Sequence, residues 1–202
     1  MMFIMPIEIE LKAHVRDIEA FRPLFADKAG KDKLISFEKE DCYWQADTLP
    51  YSRLRVRKEK RVFPDGKVET YTLINYKIKE IRDGIEVNDE REFEINPRSY
   101  QNGQEIEELL KFIGLKPIGG KRKRGWTFSE EGLNAELSEV EELGWFVELE
   151  ILADNNREDT YLDGKKRLLC FLDSLGIKRD AIESRPYTEM LREARECGNK
   201  HF

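Results

Sequence analysis

Charged residues of a single sign alternate with apolar residues along several short segments of this 202-residue chain. Successive residues of a β-strand face opposite sides of a sheet. The segment 53–57, Arg-Leu-Arg-Val-Arg, would therefore put three guanidinium groups on one face and two apolar side chains on the other. The segment 8–12, Glu-Ile-Glu-Leu-Lys, would place two carboxylates and an ammonium on one face. The alternation predicts a sheet whose strands each have one strongly charged face.

Later segments show the same alternation. Asn75, Lys77 and Lys79 share one face of a predicted strand, and Glu148 and Glu150 share a face of another. The charged positions 90, 92 and 94 are all Glu, and position 136 is a Glu between Ala135 and Leu137. The segment 121–124, Lys-Arg-Lys-Arg, is basic on both faces, so alternation alone does not fix which of its residues point inward.

Turn signals divide the chain into about eight strands joined mainly by hairpins. Pro64-Asp65-Gly66, Asp83-Gly84, Glu131-Gly132 and Gly144 mark the turns. We predict strands at about 3–14, 37–46, 52–62, 68–81, 85–95, 116–128, 133–141 and 145–152. We predict helices at about 17–29, from 102 or 104 to 114, at 157–175 and at 186–196. Hairpin connections make neighbouring strands antiparallel, which predicts an α+β fold with a barrel-like sheet.

The charged faces have two interpretations. An antiparallel sheet normally has one core face and one wet face, so alternating charge commonly marks the solvent side. Here, however, some strands are almost purely acidic and others almost purely basic. If the sheet closes, these faces line a lumen in which basic walls suit a polyanion. The clustered Glu residues would suit a hard cation such as Mg²⁺ or Mn²⁺.

Other classes of chemistry lack support in the sequence. There is no Gly-x-x-x-x-Gly-Lys loop for a P-loop nucleotide site, and only two His residues are present. The net charge of −6 argues against general nucleic-acid binding. We expect no membrane association, because no stretch is long and apolar enough. The three cysteines are scattered, which favours a reducing, cytoplasmic location.

An ordered series of motifs resembles the CYTH superfamily, the triphosphate tunnel metalloenzymes. The segment 8–12 is similar to the family's Glu-x-Glu-x-Lys signature, and 143–150, Leu-Gly-Trp-Phe-Val-Glu-Leu-Glu, to its Leu-Gly-x-Phe-x-Glu-x-Glu. The remaining similar segments are 41–43 (Asp-Cys-Tyr), 54–57 (Leu-Arg-Val-Arg), 75–77 (Asn-Tyr-Lys), the basic stretch 121–124, and 186–191 (Pro-Tyr-Thr-Glu-Met-Leu). The resemblance covers nearly the whole chain and implies one domain, residues 1–202, built as an eight-stranded antiparallel closed β-barrel or tunnel with flanking helices.

The resemblance also implies roles for individual residues. Glu8, Glu10, Glu148 and Glu150 would bind one or two Mg²⁺ or Mn²⁺ ions, with Glu8 and Glu10 counted among the catalytic residues. The family often has Asp where Ser138 stands here, and Glu136, two residues earlier on the same face, is the expected substitute. The residues implied to hold the triphosphate are Lys12, Arg55, Arg57, Lys77, Lys121 and Lys123. Lys12 would contact the phosphate end or help to activate water.

The orientation of the basic stretch follows from one aromatic residue. We expect Trp126 to face outward, which would point Lys121 and Lys123 inward. Arg53 and Lys79 share faces with the implied phosphate ligands and are possible additions to them.

The function implied by the resemblance is metal-assisted attack at phosphorus, most simply the hydrolysis of an organic or inorganic triphosphate. ATP, thiamine triphosphate and tripolyphosphate are the candidate substrates. A class IV adenylyl cyclase, which makes cyclic AMP and pyrophosphate from ATP, is the first alternative. A non-catalytic polyphosphate or nucleotide binder is the second. Whether the chain forms a homodimer is left open.

Overall fold

A computed structural model describes residues 7–30, 32–47, 54–95 and 104–198 of the chain. The strands are β1 Ile7–His14, β2 Ile35–Gln45, β3 Leu54–Val62, β4 Val68–Arg82, β5 Ile85–Ile95, β6 Lys116–Glu130, β7 Leu133–Val140 and β8 Gly144–Ala153. The helices are α1 Ile18–Ala29, α2 Gln104–Phe112, α3 Glu158–Ser174 and α4 Tyr187–Gly198, with a short 3-10 helix at Arg179–Ala181. The predicted strand start at Phe3, the helix start at Asn102, and Arg53 lie outside the described residues.

The eight strands close into a single antiparallel barrel in the order β1-β5-β4-β3-β2-β6-β7-β8. The predicted fold class is therefore confirmed. The hairpin turns have the backbone that two-residue loops require: Asp83 and Gly84 between β4 and β5 have φ angles of 49° and 79°, and Glu131 and Gly132 between β6 and β7 have 50° and 75°. Positive φ at both loop positions matches the right-handed twist of the flanking strands.

The apolar faces of the strands point outward and lie under helices. Ile9, Leu11, Val147 and Leu149 belong to one buried cluster that includes residues of α1 and α3. Across the barrel, Val56 and Trp44 pack with Leu110 of α2. Because the apolar faces are used outside the barrel, the charged faces of the same strands must point into the lumen.

The connection between α3 and α4 holds the C-terminal part of the chain against β1. The 3-10 helix, which the sequence pattern did not predict, leads to an isolated β-bridge between Ile182 and Ala13. The Glu183 backbone N–H then donates to the Lys12 carbonyl at 2.8 Å. These contacts bring Tyr187, at the start of α4, to the lumen wall.

Two further sequence expectations concern cysteines and membranes. Cys42, Cys170 and Cys197 are all free thiols. Within the described ranges, no helix combines the length and apolarity needed to cross a bilayer.

Gly125 allows β6 and β7 to approach closely. A Cβ atom there would lie 1.9 Å from the Leu137 carbonyl oxygen, whereas a Cβ on Gly164 of α3 would meet only the side-chain end of Ile9, at 2.6 Å. We predict that Gly125→Ala lowers the free energy of unfolding by roughly 3 kcal/mol, because backbone cannot move aside as a side chain can. Gly164→Ala, the matched control, should cost less, since the gain in helix propensity offsets the crowding. Urea denaturation of both variants measures the difference, and equal effects would contradict the argument.

Candidate functional site

The barrel encloses a cavity of about 890 Å³ whose lining is dominated by charge. Among the described residues that line it, nine are acidic and nine are basic. Eleven of these are the residues that the resemblance implied: Glu8, Glu10, Lys12, Arg55, Arg57, Lys77, Lys121, Lys123, Glu136, Glu148 and Glu150. The other seven are Lys39, Glu59, Arg61, Lys79, Glu86, Glu90 and Glu92. The structure thus brings all the expected site residues into one lumen.

The register of three adjacent strands sets carboxylates directly opposite one another. Glu10 of β1 faces Glu150 of β8, and Glu148 of β8 faces Glu136 of β7. Like charges directly opposite each other in a sheet destabilise it unless a cation lies between them. The wall formed by β1, β8 and β7 therefore carries closely spaced negative charges that cations must neutralise.

Lys77 supplies part of that charge from β4, on the other side of β5. Its Nζ lies 2.6 Å from a Glu8 carboxylate oxygen, 2.5 Å from Glu90 and 3.8 Å from Glu10. Arg55 of β3 approaches the same group, with Nη2 2.9 Å from Glu90. Burial opposes the charge on Lys77, but attraction to Glu10 and Glu8 raises its pKa above the ordinary value, so this ammonium stays protonated.

Asp41 pairs with a second group of cations. Its carboxylate accepts two hydrogen bonds from Arg57, at 2.6 and 2.9 Å, and lies 3.5 Å from Lys121 Nζ and 3.7 Å from Arg55 Nη1. Burial opposes ionisation of Asp41, but Arg57 and Arg55 hold the pKa of that carboxyl well below its usual value. Burial lowers the pKa of Lys121 to about 7, and attraction to Asp41 offsets only part of this effect.

Lys123 links the two carboxylates of β7 and β8. Its Nζ contacts Glu136 and lies 2.9 Å from Glu148, while Lys39 of β2 lies 2.5 Å from Glu136. Burial opposes ionisation of both Glu residues, but Lys123 is the largest attraction on each and lowers their pKa values. The carboxylates of Glu136 and Glu148 are therefore held in their ionised form.

Tyr187 packs against the basic wall at the start of α4. Its hydroxyl donates to Glu148 at 2.8 Å, and its ring lies 4.5 Å from Lys12 Nζ and 4.7 Å from Lys121 Nζ. Lys12 donates to the Arg185 carbonyl at 2.7 Å and lies 3.6 Å from Glu86. The C-terminal segment thus contacts the residue that the resemblance implied at the phosphate end.

The carboxylates have the chemistry of a divalent-metal site but are held apart by the lysines. No group of three or more His, Cys, Asp or Glu side chains in the described part of the chain is arranged to hold a metal ion. Burial nevertheless raises the pKa of Glu8, of Glu10 and of Glu150, which indicates too little positive charge near them. Oxygen donors of this kind suit Mg²⁺ or Mn²⁺. The donor set fits such an ion if the carboxylates exchange lysine contacts for metal contacts.

The orientation of β6 follows the expectation from Trp126. Trp126 packs outside the barrel, stacked on Trp145 with ring centroids 6.0 Å apart and with Arg22 4.3 Å from its ring. Lys121 and Lys123 therefore point inward, and Lys79 does as well, with Nζ 2.5 Å from Glu86.

Several lumen residues were not assigned from the sequence. Lys39, Asp41 and Tyr43 alternate with outward-facing Cys42 and Trp44, a weaker period-2 signal than that of the purely basic strands. Glu90 was part of an observed alternation but was given no role, although it contacts both Lys77 and Arg55. Contacts between distant strands of this kind depend on the barrel's closure and cannot be read from spacing.

A larger groove of about 1310 Å³ is lined by residues of β2, β3, β4 and β6 and of the turn between β7 and β8. Three of its lining residues, Lys39, Glu59 and Lys123, also line the lumen. The groove's charged side chains pair with one another along the strands, as in Arg122 with Glu40 at 2.8 Å and Arg124 with Glu139 at 2.7 Å. These exposed pairs leave little charge for a ligand. We therefore place the site in the lumen despite the smaller volume.

Comparisons with known proteins identify the family. "Putative adenylate cyclase MJ0240" of Methanocaldococcus jannaschii is 26% identical over 91% of this chain and 98% of its own. The structure of PH1819 from Pyrococcus horikoshii OT3 has a TM-score of 0.73 at 26% identity, covering 92% of this chain and 98% of that one. PH1012 from the same organism has a TM-score of 0.69 at 28% identity, covering 90% and 98%.

The chain spans nearly the full length of these relatives, and the two solved structures share its fold. The family model described as the CYTH domain matches residues 6–187, which include every strand and the start of α4. The chain therefore belongs to the CYTH domain family.

Proposed function

We propose that this protein is a divalent-metal-dependent enzyme that hydrolyses an organic or inorganic triphosphate inside the barrel. The observation that carries the proposal is the lumen itself, which nine acidic and nine basic described residues line together, most of them buried or half-buried. Buried charges are retained only where they are paired or bind an ion. A polyanion together with a metal ion would satisfy both sets at once.

The cationic residues would bind the phosphates. Arg55 and Arg57 present planar guanidinium groups, which match phosphate oxygens by bidentate hydrogen bonds. Lys12, Lys77, Lys121 and Lys123 would act as point charges around the chain of phosphates. Every one of these cations already contacts a carboxylate or a carbonyl oxygen, so the substrate would replace existing partners rather than fill unmet positions.

The acidic residues would hold the metal. Glu8, Glu10, Glu136, Glu148 and Glu150 are the proposed ligands, drawn from three adjacent strands. When bound, Mg²⁺ or Mn²⁺ would neutralise phosphate charge and polarise the attacked phosphorus. The lysines that these carboxylates release would then be free to contact phosphate.

The chemical step in a hydrolase is attack of water on phosphorus with loss of the rest of the substrate as leaving group. Lys12 is buried, and its Nζ donates to the Arg185 carbonyl and lies 3.6 Å from a Glu86 carboxylate oxygen. We propose that this ammonium stabilises charge on the phosphate end in the transition state. Tyr187 would position Lys12 and Lys121 through its ring and Glu148 through its hydroxyl.

An adenylyl cyclase is the second candidate. The name of the Methanocaldococcus jannaschii relative favours it. In that reaction the ribose 3′-hydroxyl attacks the α-phosphorus and pyrophosphate leaves, so the lumen would have to hold the nucleoside in a bent geometry. The same basic and acidic walls would serve both reactions.

Product analysis separates the candidates. We expect the purified chain, with Mg²⁺ or Mn²⁺, to release orthophosphate from at least one of ATP, thiamine triphosphate and tripolyphosphate. Release of pyrophosphate with cyclic AMP from ATP would identify a cyclase instead. Tight binding of triphosphates without any product would identify a binder, and it would contradict the proposed enzyme.

The metal assignment predicts the effect of two conservative substitutions. Glu10→Gln and Glu148→Gln keep the side-chain shape but remove a charged oxygen ligand, so metal-dependent turnover should fall by at least about 100-fold. Glu38→Gln, on the exposed outer side of β2, is the matched control and should leave turnover unchanged. Circular dichroism checks that the fold is retained. Full activity in both lumen variants would rule out the metal assignment.

The low pKa of Lys121 predicts proton uptake on binding. Above about pH 7 this lysine is largely neutral, and a bound polyanion should restore its proton. Tripolyphosphate affinity measured with EDTA should therefore fall by up to about tenfold per pH unit above pH 7. Lys121→Arg stays charged and should lose this part of the pH dependence. Calorimetry in two buffers of different ionisation enthalpy measures the protons taken up, and identical uptake in both proteins would contradict the prediction.

A further inference from the structure

Helix α2 presents large apolar side chains on a surface that no other described part of the chain covers. Phe112 is 88% exposed, Leu109 52% and Ile113 58%, and Ile118 at the start of β6 is 47% exposed. Contiguous exposed apolar patches on soluble proteins commonly mark interaction sites. We propose that this surface, the α2 outer face, is the contact through which two copies of this chain form a twofold-symmetric dimer.

The side of α2 that faces the barrel is already packed against it. Leu110 is buried and Ile106 half-buried, and both pack with Trp44 and Val56 on the outer faces of β2 and β3. Lys58 of β3 also pairs with Glu107 at 2.8 Å. The apolar side chains of α2 thus form one broad face, of which Ile106 and Leu110 lie against the barrel while Leu109 and Phe112 lie at its uncovered edge.

The charges that border the α2 outer face are self-complementary. The first half of the helix carries exposed Glu105 and Glu108, and the last turn carries exposed Lys111. Glu108 makes no ion pair within the described part of the chain, and the Lys111 ammonium has the Trp44 ring 6.0 Å away as its described contact. If two α2 helices pack antiparallel, Glu108 of each faces Lys111 of the other, and Leu109 packs against Phe112.

This arrangement favours a second copy over an unrelated partner. In a twofold dimer the same surface patch of each copy must complement itself. Helix α2 is acidic near its N-terminus and basic near its C-terminus, so two copies of it are complementary only when they pack antiparallel. Helix α2 offers a self-complementary surface of this kind, with both apolar area and matched charge.

The proposed contact does not depend on the proposed reaction. The inner side of α2 supports the strand that carries Arg55 and Arg57 into the lumen. Dimer formation at the α2 outer face would leave the lumen of each copy complete by itself.

Sedimentation velocity of the full chain over a range of concentrations tests the proposal. We expect the mass of a dimer at high concentration, with reversible dissociation on dilution. Phe112→Lys should weaken the dimer by at least about tenfold, because it places a charge at the centre of the apolar patch. Leu24→Lys is the matched control: Leu24 is 57% exposed on α1, which packs on a different buried cluster from α2, and its replacement should leave the dimer intact.

Charge reversal distinguishes a direct contact between the two copies from a general loss of stability in the variants. Glu108→Lys and Lys111→Glu alone should each weaken the dimer by about fivefold, since each replaces two cross-dimer attractions by repulsions. The double variant restores both attractions and should recover most of the affinity. Circular dichroism confirms that each variant is folded. A monomer at every concentration, a dimer that survives Phe112→Lys, or a double variant as weak as the single ones would overturn the proposal.

Discussion

Closure of the barrel buries the charged strand faces that an open sheet would leave in water. Once the strands join in a ring, their inner side chains have only one another, or a ligand, as partners. The structure meets this constraint with equal numbers of acidic and basic lining residues among those described. The walls differ in sign, so each cation reaches across the lumen or between neighbouring strands to find its carboxylate.

The arrangement of these pairs would let a stable barrel also bind the proposed polyanion. Asp41 holds Arg57 through two hydrogen bonds, which fixes the guanidinium plane before any ligand arrives. Fixed cations cost no reorganisation when phosphate charge approaches them. By contrast, Glu8, Glu10 and Glu150 lie where burial raises their pKa values, so they are poorly compensated by the protein alone. The basic wall is organised by the chain, and the acidic wall is the part that a metal ion would complete.

Helices outside the barrel set which residues can serve the lumen. Helices α1 and α3 cover the apolar faces of β1 and β8, and α2 covers those of β2 and β3. The charged residues that alternate with these apolar residues therefore point inward. The C-terminal segment then adds Tyr187, which belongs to no strand yet contacts Lys12, Lys121 and Glu148. The outer helices thus contribute to the site by orientation, while the start of α4 contributes a side chain.

The sequence by itself determined the strands, the hairpin turns and the parity of the charged residues. A period of two residues assigns Glu8, Glu10, Arg55, Arg57, Lys77, Glu148 and Glu150 to common faces without any coordinates. Only the tertiary structure decided which of these residues meet. The contacts of Lys77 with Glu8, of Lys123 with Glu148, and of Tyr187 with Lys12 join positions 69, 25 and 175 residues apart. Such distances depend on strand order and register around a closed barrel, and these are set by the packing of all eight strands together rather than by the local pattern of any one.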